Sequence, residues 1–328
     1  MTDALLNVRD LSVELPIEGR LQPVLRGVSL AIRAGEVVGL VGESGSGKSM
    51  TALAICRLLP RGAQVDGSIT FDDRDVLEHG NSDLRRLRMN DIAIVFQDPR
   101  AHINAVRRIG DFLCESMRIN LGFDRQTARL RALALLDDVG VGGGERRLRQ
   151  YPHELSGGML QRVMIAAALA CNPRLLLADE PTPALDVTVQ SEIMAILADL
   201  RRERGLAILF ITHDLELAAA ACDRICVMYA GRIVEDRTAD ALLARPLHPY
   251  TSALFASRPR LEGGSERLLA VPGRPVSAFE APPGCAFAPR CPRAEIRCTE
   301  RLPELVASSD GLVACLHPDG EGDRQVGR

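Results

Sequence analysis

The 328-residue sequence has no tryptophan and only three tyrosines, and aromatic residues make up 3% of it. Proteins that hold single-stranded nucleic acid stack bases on aromatic side chains, so the composition disfavours that class. An excess of one charge is also lacking, since 40 basic residues face 43 acidic ones for a net charge of −3. This balance gives no general attraction to nucleic acid or to an anionic membrane.

Long apolar runs and a leader pattern are missing as well. No stretch reaches the roughly 18 apolar residues that a membrane-spanning helix needs. The first residues show no basic segment followed by an apolar one, so we expect a cytoplasmic chain whose nine cysteines mostly stay out of disulfides. The 46% hydrophobic content permits a sizeable core, and the length suits one large domain with a smaller one.

A glycine-rich loop reading G-E-S-G-S-G-K-S occupies residues 42–49, after an apolar strand-like run and before a helix-like one. The glycines let backbone N–H groups turn inward around phosphates, and the helix N-terminus adds positive potential. Lys48 can reach the β- and γ-phosphates, and the Ser49 hydroxyl can bind Mg²⁺. A plain glycine-rich turn does not need every motif position filled. The pattern therefore predicts a nucleotide-phosphate site formed by Gly42, Ser44, Gly45, Gly47, Lys48 and Ser49.

A second apolar run, Leu175 to Ala178, ends in the carboxylates Asp179 and Glu180. In P-loop nucleotidases this strand lies beside the P-loop strand, so Asp179 can hold Mg²⁺ and Glu180 can act as general base on water. Taken alone, a buried strand ending in solvated acids is the simpler interpretation. The phosphate loop at residues 42–49 favours the interpretation of Asp179 and Glu180 as catalytic residues.

The segment L-S-G-G-M at 155–159 precedes that strand, and in this order it resembles the signature loop of the ATP-binding cassette (ABC) family. The resemblance covers about Leu6 to Val234 and implies an ATPase. It also implies that Ser156, Gly157 and Gly158 bind the γ-phosphate held by the P-loop of a second subunit, so that ATP closes a head-to-tail dimer. A serine, two glycines and a helix N-terminus form an anion site on physical grounds too.

Three further elements resemble ABC motifs. Gln97 resembles the Q-loop glutamine, which contacts Mg²⁺ or the attacking water and responds to the membrane partner. Asp186 resembles the D-loop aspartate at the dimer interface, and His213 resembles the switch histidine that contacts the γ-phosphate. A lone histidine at a strand end is more often structural, and the order of the motifs reverses that preference. The implied catalytic residues are Glu180, His213, Gln97 and Lys48, and the implied Mg²⁺ ligands are Ser49, Gln97 and Asp179.

The chain departs from the family in its aromatic residues. ABC ATPases usually stack adenine on an aromatic near the end of the first strand, whereas this chain has Leu15 there and no aromatic within residues 1–70. Base selectivity is therefore expected to be looser.

Two other positions also depart from the family pattern. Pro183 stands where serine or threonine is common, and Leu160 stands where a basic residue is common. None of these changes removes a phosphate ligand.

Four of the nine cysteines lie in a C-terminal stretch rich in proline and glycine, with the spacing C-x5-C-x6-C-x16-C. Four thiolates suit zinc or an iron–sulfur cluster, and the spacing matches neither short zinc knuckles nor ferredoxin runs. A small cap with buried thiols and no metal is the third interpretation. The four are Cys285, Cys291, Cys298 and Cys315, whereas the other cysteines are expected in the core, namely Cys56, Cys114, Cys171, Cys222 and Cys226.

This stretch resembles the ATPase subunits of oligopeptide and dipeptide permeases in three segments: P-L-H-P-Y-T at 246–251, V-P-G-R-P at 271–275 and G-C-A-F-A-P-R-C-P at 284–292. The resemblance implies a 4Fe–4S cluster on the four cysteines, with a structural role because ATP hydrolysis has no redox step. It implies as partners a second ATPase subunit, identical or paralogous, two transmembrane permease subunits and an extracytoplasmic solute-binding protein, and no nucleic acid.

Strands that alternate with helices predict an α/β fold with a largely parallel sheet. The resemblance implies a P-loop ABC ATPase domain with a RecA-like core, an antiparallel β subdomain and a helical subdomain. We expect this domain over residues 1–245, with the helical subdomain at about 98–155, and a small extension rich in cysteine and proline over 246–328.

The expected function is ATP hydrolysis that powers import of di- and oligopeptides from the cytoplasmic face of the cell membrane. One alternative is the same ABC ATPase powering import of nickel chelates, glutathione or opines instead of peptides. A second is a soluble ABC protein acting on DNA or ribosomes, which the single cassette and near-neutral charge disfavour. A third is a regulatory subunit of weak ATPase activity whose cysteines sense redox state.

Overall fold

The computed structural model describes residues 4–181, 187–257, 271, 273–308 and 310–319. They fall into two compact units. The central unit comprises Met1–Ala4, Ile32–Glu36 and Glu78–Ile211, and the P-loop unit comprises Leu5–Ala31, Val37–Leu77 and Thr212–Arg328. Across the described ranges, no helix is both long enough and apolar enough to span a membrane.

The N-terminal part of the P-loop unit is built on strands. Its elements are β1 (Ala4–Ile17), β2 (Arg20–Arg33), β3 (Val37–Val41), α1 (Lys48–Ile55), β4 (Gln64–Phe71) and β5 (Arg74–Asp75). Four of them form a sheet in the order β2-β1-β4-β5, with Leu6 opposite Phe71 and Val8 opposite Ile69 in the antiparallel β1–β4 pair. These four side chains are buried while those between them are less so, which is the alternation expected of a sheet with one covered face.

The central unit carries most of the helices. Its elements are α2 (Asn81–Arg86), β6 (Ile92–Val95), α3 (Pro99–His102), α4 (Ile109–Asn120), α5 (Arg125–Asp138), α6 (Gly144–Arg149), α7 (Gly157–Ala168), β7 (Leu175–Asp179), α8 (Val187–Arg204) and β8 (Ala207–Thr212). A π-helical turn at Leu87–Asp91 precedes β6, and a 3-10 turn at Pro152–Glu154 precedes α7. Strands β6, β7 and β8 pair in parallel. Strands β7 and β8 are buried along their whole length, as parallel strands covered on both faces are.

Some helices of the central unit, among them α3, α5 and α7, begin at a side chain that caps the first turn. Asp124 accepts a hydrogen bond from the Thr127 amide over 2.7 Å and so caps α5. The buried face of α5 repeats at helical spacing, through Ala128, Ala132, Leu135 and Leu136. Helix α4 contacts α5, α6 and α7, and α5 also contacts α6 and α7.

The C-terminal part of the P-loop unit extends a second sheet. Its elements are α9 (Leu215–Ala221), β9 (Arg224–Tyr229), β10 (Arg232–Thr238), α10 (Ala239–Ala244), α11 (Pro249–Ala256), α12 (Ile296–Glu300), β11 (Val306–Ser308) and β12 (Gly311–Val313), with 3-10 turns at Ala278–Glu280 and Ala288–Arg290. Strand β9 pairs in parallel with β3, and β10, β12 and β11 follow as antiparallel neighbours. The predicted α/β class is confirmed.

Buried charges attach the start of the C-terminal stretch to this sheet. The Glu235 carboxylate, fully buried on β10, accepts hydrogen bonds from the amides of Leu247 (2.8 Å) and His248 (2.9 Å). Burial lowers the pKa of His248 to about 3, so its neutral ring can accept the Tyr250 amide hydrogen bond that caps α11. The described residues at the start of the C-terminal stretch, Leu247 to Tyr250, therefore pack into the same unit as the P-loop.

Candidate functional site

The predicted phosphate loop connects the buried strand β3 to α1. A Cβ added to Gly42 would collide with the Met228 carbonyl oxygen and lie 2.8 Å from Ser46 Oγ, so only glycine fits there. Gly45 and Gly47 have φ of +79° and +106°, a region that side chains rarely adopt. The loop thus has the curled backbone that a row of inward N–H groups requires.

Lys48 lies against this loop instead of extending into solvent. Its ammonium donates hydrogen bonds to the carbonyls of Gly42 (2.8 Å) and Glu43 (3.0 Å), and the residue is only 6% exposed. The Ser46 hydroxyl nearby is buried and has no hydrogen-bond partner among the described residues. A buried donor left without a protein partner suits a loop that surrounds a phosphate. Ser44, Gly45 and Ser49 are solvent-accessible along the same loop.

The central unit brings two predicted catalytic residues together. Gln97 Nε2 donates a hydrogen bond to Glu180 Oε2 over 2.8 Å. Glu180 has a φ of +44°, which is strained for a residue with a side chain, and its amide donates to the Ile211 carbonyl over 2.9 Å. Asp179, the residue before it, is 7% exposed at the end of β7. Backbone strain of this kind is concentrated at functional sites.

The predicted signature residues form the N-terminus of α7. Ser156 Oγ accepts a hydrogen bond from the Met159 amide over 3.3 Å, and Ser156 and Gly157 are exposed. A Cβ at Gly158 would lie 2.8 Å from Val189 Cγ1 on α8, so the close approach of these helices requires glycine. An exposed serine and glycine at a helix N-terminus give the geometry of an anion site.

The remaining predicted site residues belong to loops. His213 is exposed and follows β8. It is followed by Asp214, whose carboxylate caps α9 through the Leu217 amide (2.9 Å). Asp186 lies in residues 182–186, outside the described residues, together with Pro183.

Cys285, Cys291, Cys298 and Cys315 line one cavity of about 20 Å³ in the P-loop unit. That volume is about what one water molecule occupies. Burial raises the pKa of Cys285 and Cys291, and raises that of Cys315 to about 11. Within the described ranges, no group of three or more His, Cys, Asp or Glu residues is placed to hold a metal ion.

The other cysteines differ in burial. Cys56, Cys222 and Cys226 are buried, as expected for core residues. Cys114 and Cys171 are half-buried. Desolvation raises the pKa of both half-buried thiols, which makes them weak nucleophiles.

Two family models and relatives aligned over nearly the whole chain match this sequence. One family model, described as "ABC transporter", matches residues 25–183, and a second, described as "Oligopeptide/dipeptide transporter, C-terminal region", matches residues 234–298. The probable peptide ABC transporter ATP-binding protein y4tR of Sinorhizobium fredii is 47% identical over 322 residues, covering 97% of this chain and 96% of its own. The chain belongs to the oligopeptide/dipeptide group of ABC transporter ATP-binding proteins.

Other members of the group are similar over the same length. The oligopeptide transport ATP-binding protein OppD of Escherichia coli is 43% identical over 316 residues, covering 96% of this chain and 94% of the relative. The dipeptide transport ATP-binding protein DppD of Escherichia coli is 42% identical over 315 residues, covering 96% of both chains. The predicted family is therefore confirmed.

Solved structures give the same fold. The protein cbiO1 from Clostridium perfringens, part of the ABC transporter complex cbiONQ, superposes with a TM-score of 0.64 at 29% identity, covering 74% of this chain and 92% of that one. The dimeric bacterial ABC transporter cassette MJ0796 gives a TM-score of 0.64 at 29% identity, covering 71% of this chain and 98% of that one. The predicted ABC fold and ATPase activity are confirmed, and ATP with Mg²⁺ is the substrate of such an enzyme.

Sequence analysis missed the contacts that surround the P-loop residue Glu43 in this ABC ATPase. Arg290 binds its carboxylate through two hydrogen bonds, and the Tyr250 hydroxyl accepts one from its amide. These partners lie 247 and 207 positions away in the sequence. No local pattern signals a contact over such a distance.

Proposed function

We propose that this ABC ATPase powers the import of dipeptides and oligopeptides, acting as a peripheral protein on the cytoplasmic face of the cell membrane. Three relatives with 42% to 47% identity are named for peptide, oligopeptide or dipeptide transport. The match over residues 234–298 supports the same cargo, because its description names oligopeptide and dipeptide transporters.

The observation that carries the hydrolytic role is the hydrogen bond of Gln97 to Glu180 at the end of β7. We assign Glu180 as the general base that polarises the attacking water, with Gln97 orienting it. Lys48 and His213 stabilise the charge that develops on the transferred phosphoryl group. The loop residues Gly42, Ser44, Gly45, Gly47 and Ser49 bind the phosphates.

Bound Mg²⁺ neutralises phosphate charge during the transfer. We assign Ser49, Asp179 and Gln97 as the residues that hold it, directly or through water. Hydroxyl, carboxylate and amide oxygens are the donors this ion prefers. The buried, unpartnered Ser46 hydroxyl supports the loop as the place where phosphate binds.

Ser156, Gly157, Gly158 and Asp186 act, in this proposal, on the nucleotide held by the P-loop of a second ATPase subunit, identical or paralogous. The exposed N-terminus of α7, capped by Ser156, supports this assignment because its anion site faces solvent. Closure of the dimer would then be passed to two transmembrane permease subunits, to which a solute-binding protein delivers the peptide.

The same proposal divides the chain into an ATPase domain over residues 1–245 and an extension over 246–328. Helices α3 to α6 lie within 98–155, which supports a helical subdomain there. In the extension we assign Cys285, Cys291, Cys298 and Cys315 to a 4Fe–4S cluster, with zinc as the alternative. All four thiols line one cavity, which supports a shared ligand. The role of the cluster would be structural.

Replacement of Glu180 tests the hydrolytic role. The complex is purified through a tag on this chain from its native membrane, and Glu180→Gln is compared with Glu203→Gln, a matched change at an exposed residue of α8. We expect Glu180→Gln to lose hydrolysis by a factor on the order of 10² to 10⁴ while ATP still closes the dimer. Undiminished hydrolysis would contradict the assigned base.

Uptake tests the cargo separately. The wild-type complex is reconstituted in liposomes with the binding protein, and ATP-dependent uptake of labelled di- and oligopeptides is measured. Glu180→Gln should abolish uptake and Glu203→Gln should not. Uptake of a nickel chelate or glutathione in place of peptides would contradict the cargo and leave the ATPase assignment intact.

A further inference from the structure

The P-loop residue Glu43 is bound by Arg290, which belongs to the cysteine-bearing segment, residues 284–292. Arg290 Nη1 lies 2.7 Å from Glu43 Oε2, and Nη2 lies 3.0 Å from Oε1, so the guanidinium holds both carboxylate oxygens. The Arg290 side chain is 4% exposed and that of Glu43 is 22% exposed. A two-point ion pair shielded from water is stronger and more directional than one on the surface.

Aromatic residues fix the position of Arg290. Its Nη1 lies 3.2 Å from the Tyr229 hydroxyl, and its guanidinium carbon is 5.8 Å from the ring centres of Tyr229 and Phe287. Tyr250 packs on both of these rings, with centre-to-centre distances of 4.6 and 5.3 Å. These contacts hold the guanidinium in the orientation that points at Glu43 of the P-loop.

Glu43 transmits this contact to the phosphate-binding groups. Its amide donates to the Tyr250 hydroxyl over 2.9 Å, so side chain and backbone are both held by the C-terminal stretch. Its carbonyl accepts hydrogen bonds from the Lys48 ammonium (3.0 Å) and the Ser46 amide (3.2 Å). A shift of Glu43 would move the carbonyl that positions Lys48 and the turn that presents Ser46.

Backbone hydrogen bonds at both ends of the cysteine-bearing segment fix the turn that carries Arg290. The arginine ends the 3-10 turn Ala288–Arg290, directly before Cys291, whose amide donates to the Ala288 carbonyl over 3.2 Å. At the other end of the segment, the Cys285 amide donates to the Cys298 carbonyl over 2.7 Å. The turn that carries the arginine is thus bracketed by two of the four cysteines.

We propose that Arg290 is a positioning residue of the nucleotide site, which holds the P-loop in its phosphate-binding form through Glu43. The cysteine-bearing segment, residues 284–292, is the support of this arginine, and so the extension forms part of the ATP site. The inference rests on the P-loop as the ATP site and does not depend on the transported cargo. Preorganisation of the loop lowers the cost of ordering it around the phosphates.

Nucleotide affinity of the full-length chain tests this role. Binding of the non-hydrolysable analogue AMP-PNP with Mg²⁺ is measured by calorimetry, and kcat and KM are measured with ATP. Arg290→Gln should weaken binding by about tenfold to a hundredfold, since small displacements of positioned groups have effects of this order. At saturating ATP the fall in kcat should be smaller than the rise in KM. Arg274→Gln is the matched control, because it removes an exposed ion pair with Glu280 from the same extension.

A double variant separates positioning from simple loss of stability. In Arg290→Gln alone the partly buried Glu43 carboxylate keeps its negative charge and loses its cationic partner, whereas Glu43→Gln with Arg290→Gln leaves two neutral amides that can bond to each other. The double variant should therefore bind AMP-PNP more tightly than Arg290→Gln alone. Equal or weaker binding would overturn the proposal, as would an Arg290→Gln protein that melts earlier yet keeps wild-type Kd and kcat/KM.

Arg290→Lys provides the test if Arg290→Gln fails to fold. Lysine keeps the charge and loses the two-point geometry, so this variant should fold and show an intermediate, several-fold loss of affinity. Wild-type affinity in a folded Arg290→Lys protein would contradict the requirement for the guanidinium.

Discussion

Gln97 and Glu180 are hydrogen-bonded over 2.8 Å although they are 83 positions apart in the sequence. The register of the parallel strands explains this contact. Val95 on β6 lies opposite Ala178 on β7. Gln97 and Glu180 each come two residues after this pair, so they emerge together at the same edge of the sheet. The proposed base, Glu180, and the residue proposed to orient it, Gln97, are thus placed by a strand pairing.

Removal of the Gln97 amide should impair turnover more than binding. Gln97→Ala deletes the donor that faces Glu180 Oε2 and leaves the P-loop contacts of Lys48 untouched. We expect kcat for ATP hydrolysis to fall by about tenfold or more, with KM for ATP changed by less than about threefold. Steady-state kinetics over a range of ATP concentrations checks this. A rise in KM at unchanged kcat would assign Gln97 to binding alone.

The features that were predictable from the sequence are those encoded by local patterns. The strands around the P-loop and before Asp179 are short apolar runs, and their positions are confirmed within a few residues. Helix α1 ends at Ile55, and Arg57, two residues later, adopts a φ of +51° that a helix does not allow. The order of the motifs identified the family without any structural information.

The remaining features depend on contacts between distant residues. Strand β10 has a charged sequence that no apolar pattern marks, yet Glu235 and Asp236 are buried there because Arg237 and Arg224 pair with them. The contact of Arg290 with Glu43 depends on how the C-terminal stretch folds back onto its own unit. Such contacts satisfy buried charges, and nothing in the spacing of the residues reveals them.

Gly42→Ala should abolish nucleotide binding. The added Cβ would meet the Met228 carbonyl, and this backbone atom cannot move aside like the end of a side chain. We expect AMP-PNP binding to fall below detection in calorimetry while the far-ultraviolet circular dichroism spectrum is retained. Gly80→Ala is the control, since nothing lies within 4 Å of a Cβ at that position. A Gly42→Ala variant with wild-type affinity would show that the loop tolerates a different curl.

The four cysteines of the extension should carry iron and acid-labile sulfide. Purification under anaerobic conditions followed by native mass spectrometry is expected to show a mass excess near four irons and four sulfides, with charge-transfer absorption in the visible range. One zinc per chain would select the alternative, and no metal would leave a cap of buried thiols.

Cysteine substitutions connect this result to the ATP site. Cys291→Ser should lose the bound metal and raise the Kd for AMP-PNP, because Cys291 follows Arg290 directly. Cys171→Ser, at a half-buried cysteine of the central unit, should change neither property. Loss of metal without any change in Kd would mean that the segment supports Arg290 without a metal.

Gly158→Ala should disturb the signature loop through its contact with α8. The new Cβ would lie 2.8 Å from Val189 Cγ1, and overpacking of this kind costs about 1–3 kcal/mol. We expect ATP-dependent dimerisation, followed by size-exclusion chromatography in the Glu180→Gln background, to weaken. The compensating pair Gly158→Ala with Val189→Ala removes the clashing methyl group and should restore dimerisation. Failure of this rescue in a folded protein would mean that glycine is needed for approach of the nucleotide itself and not for helix packing.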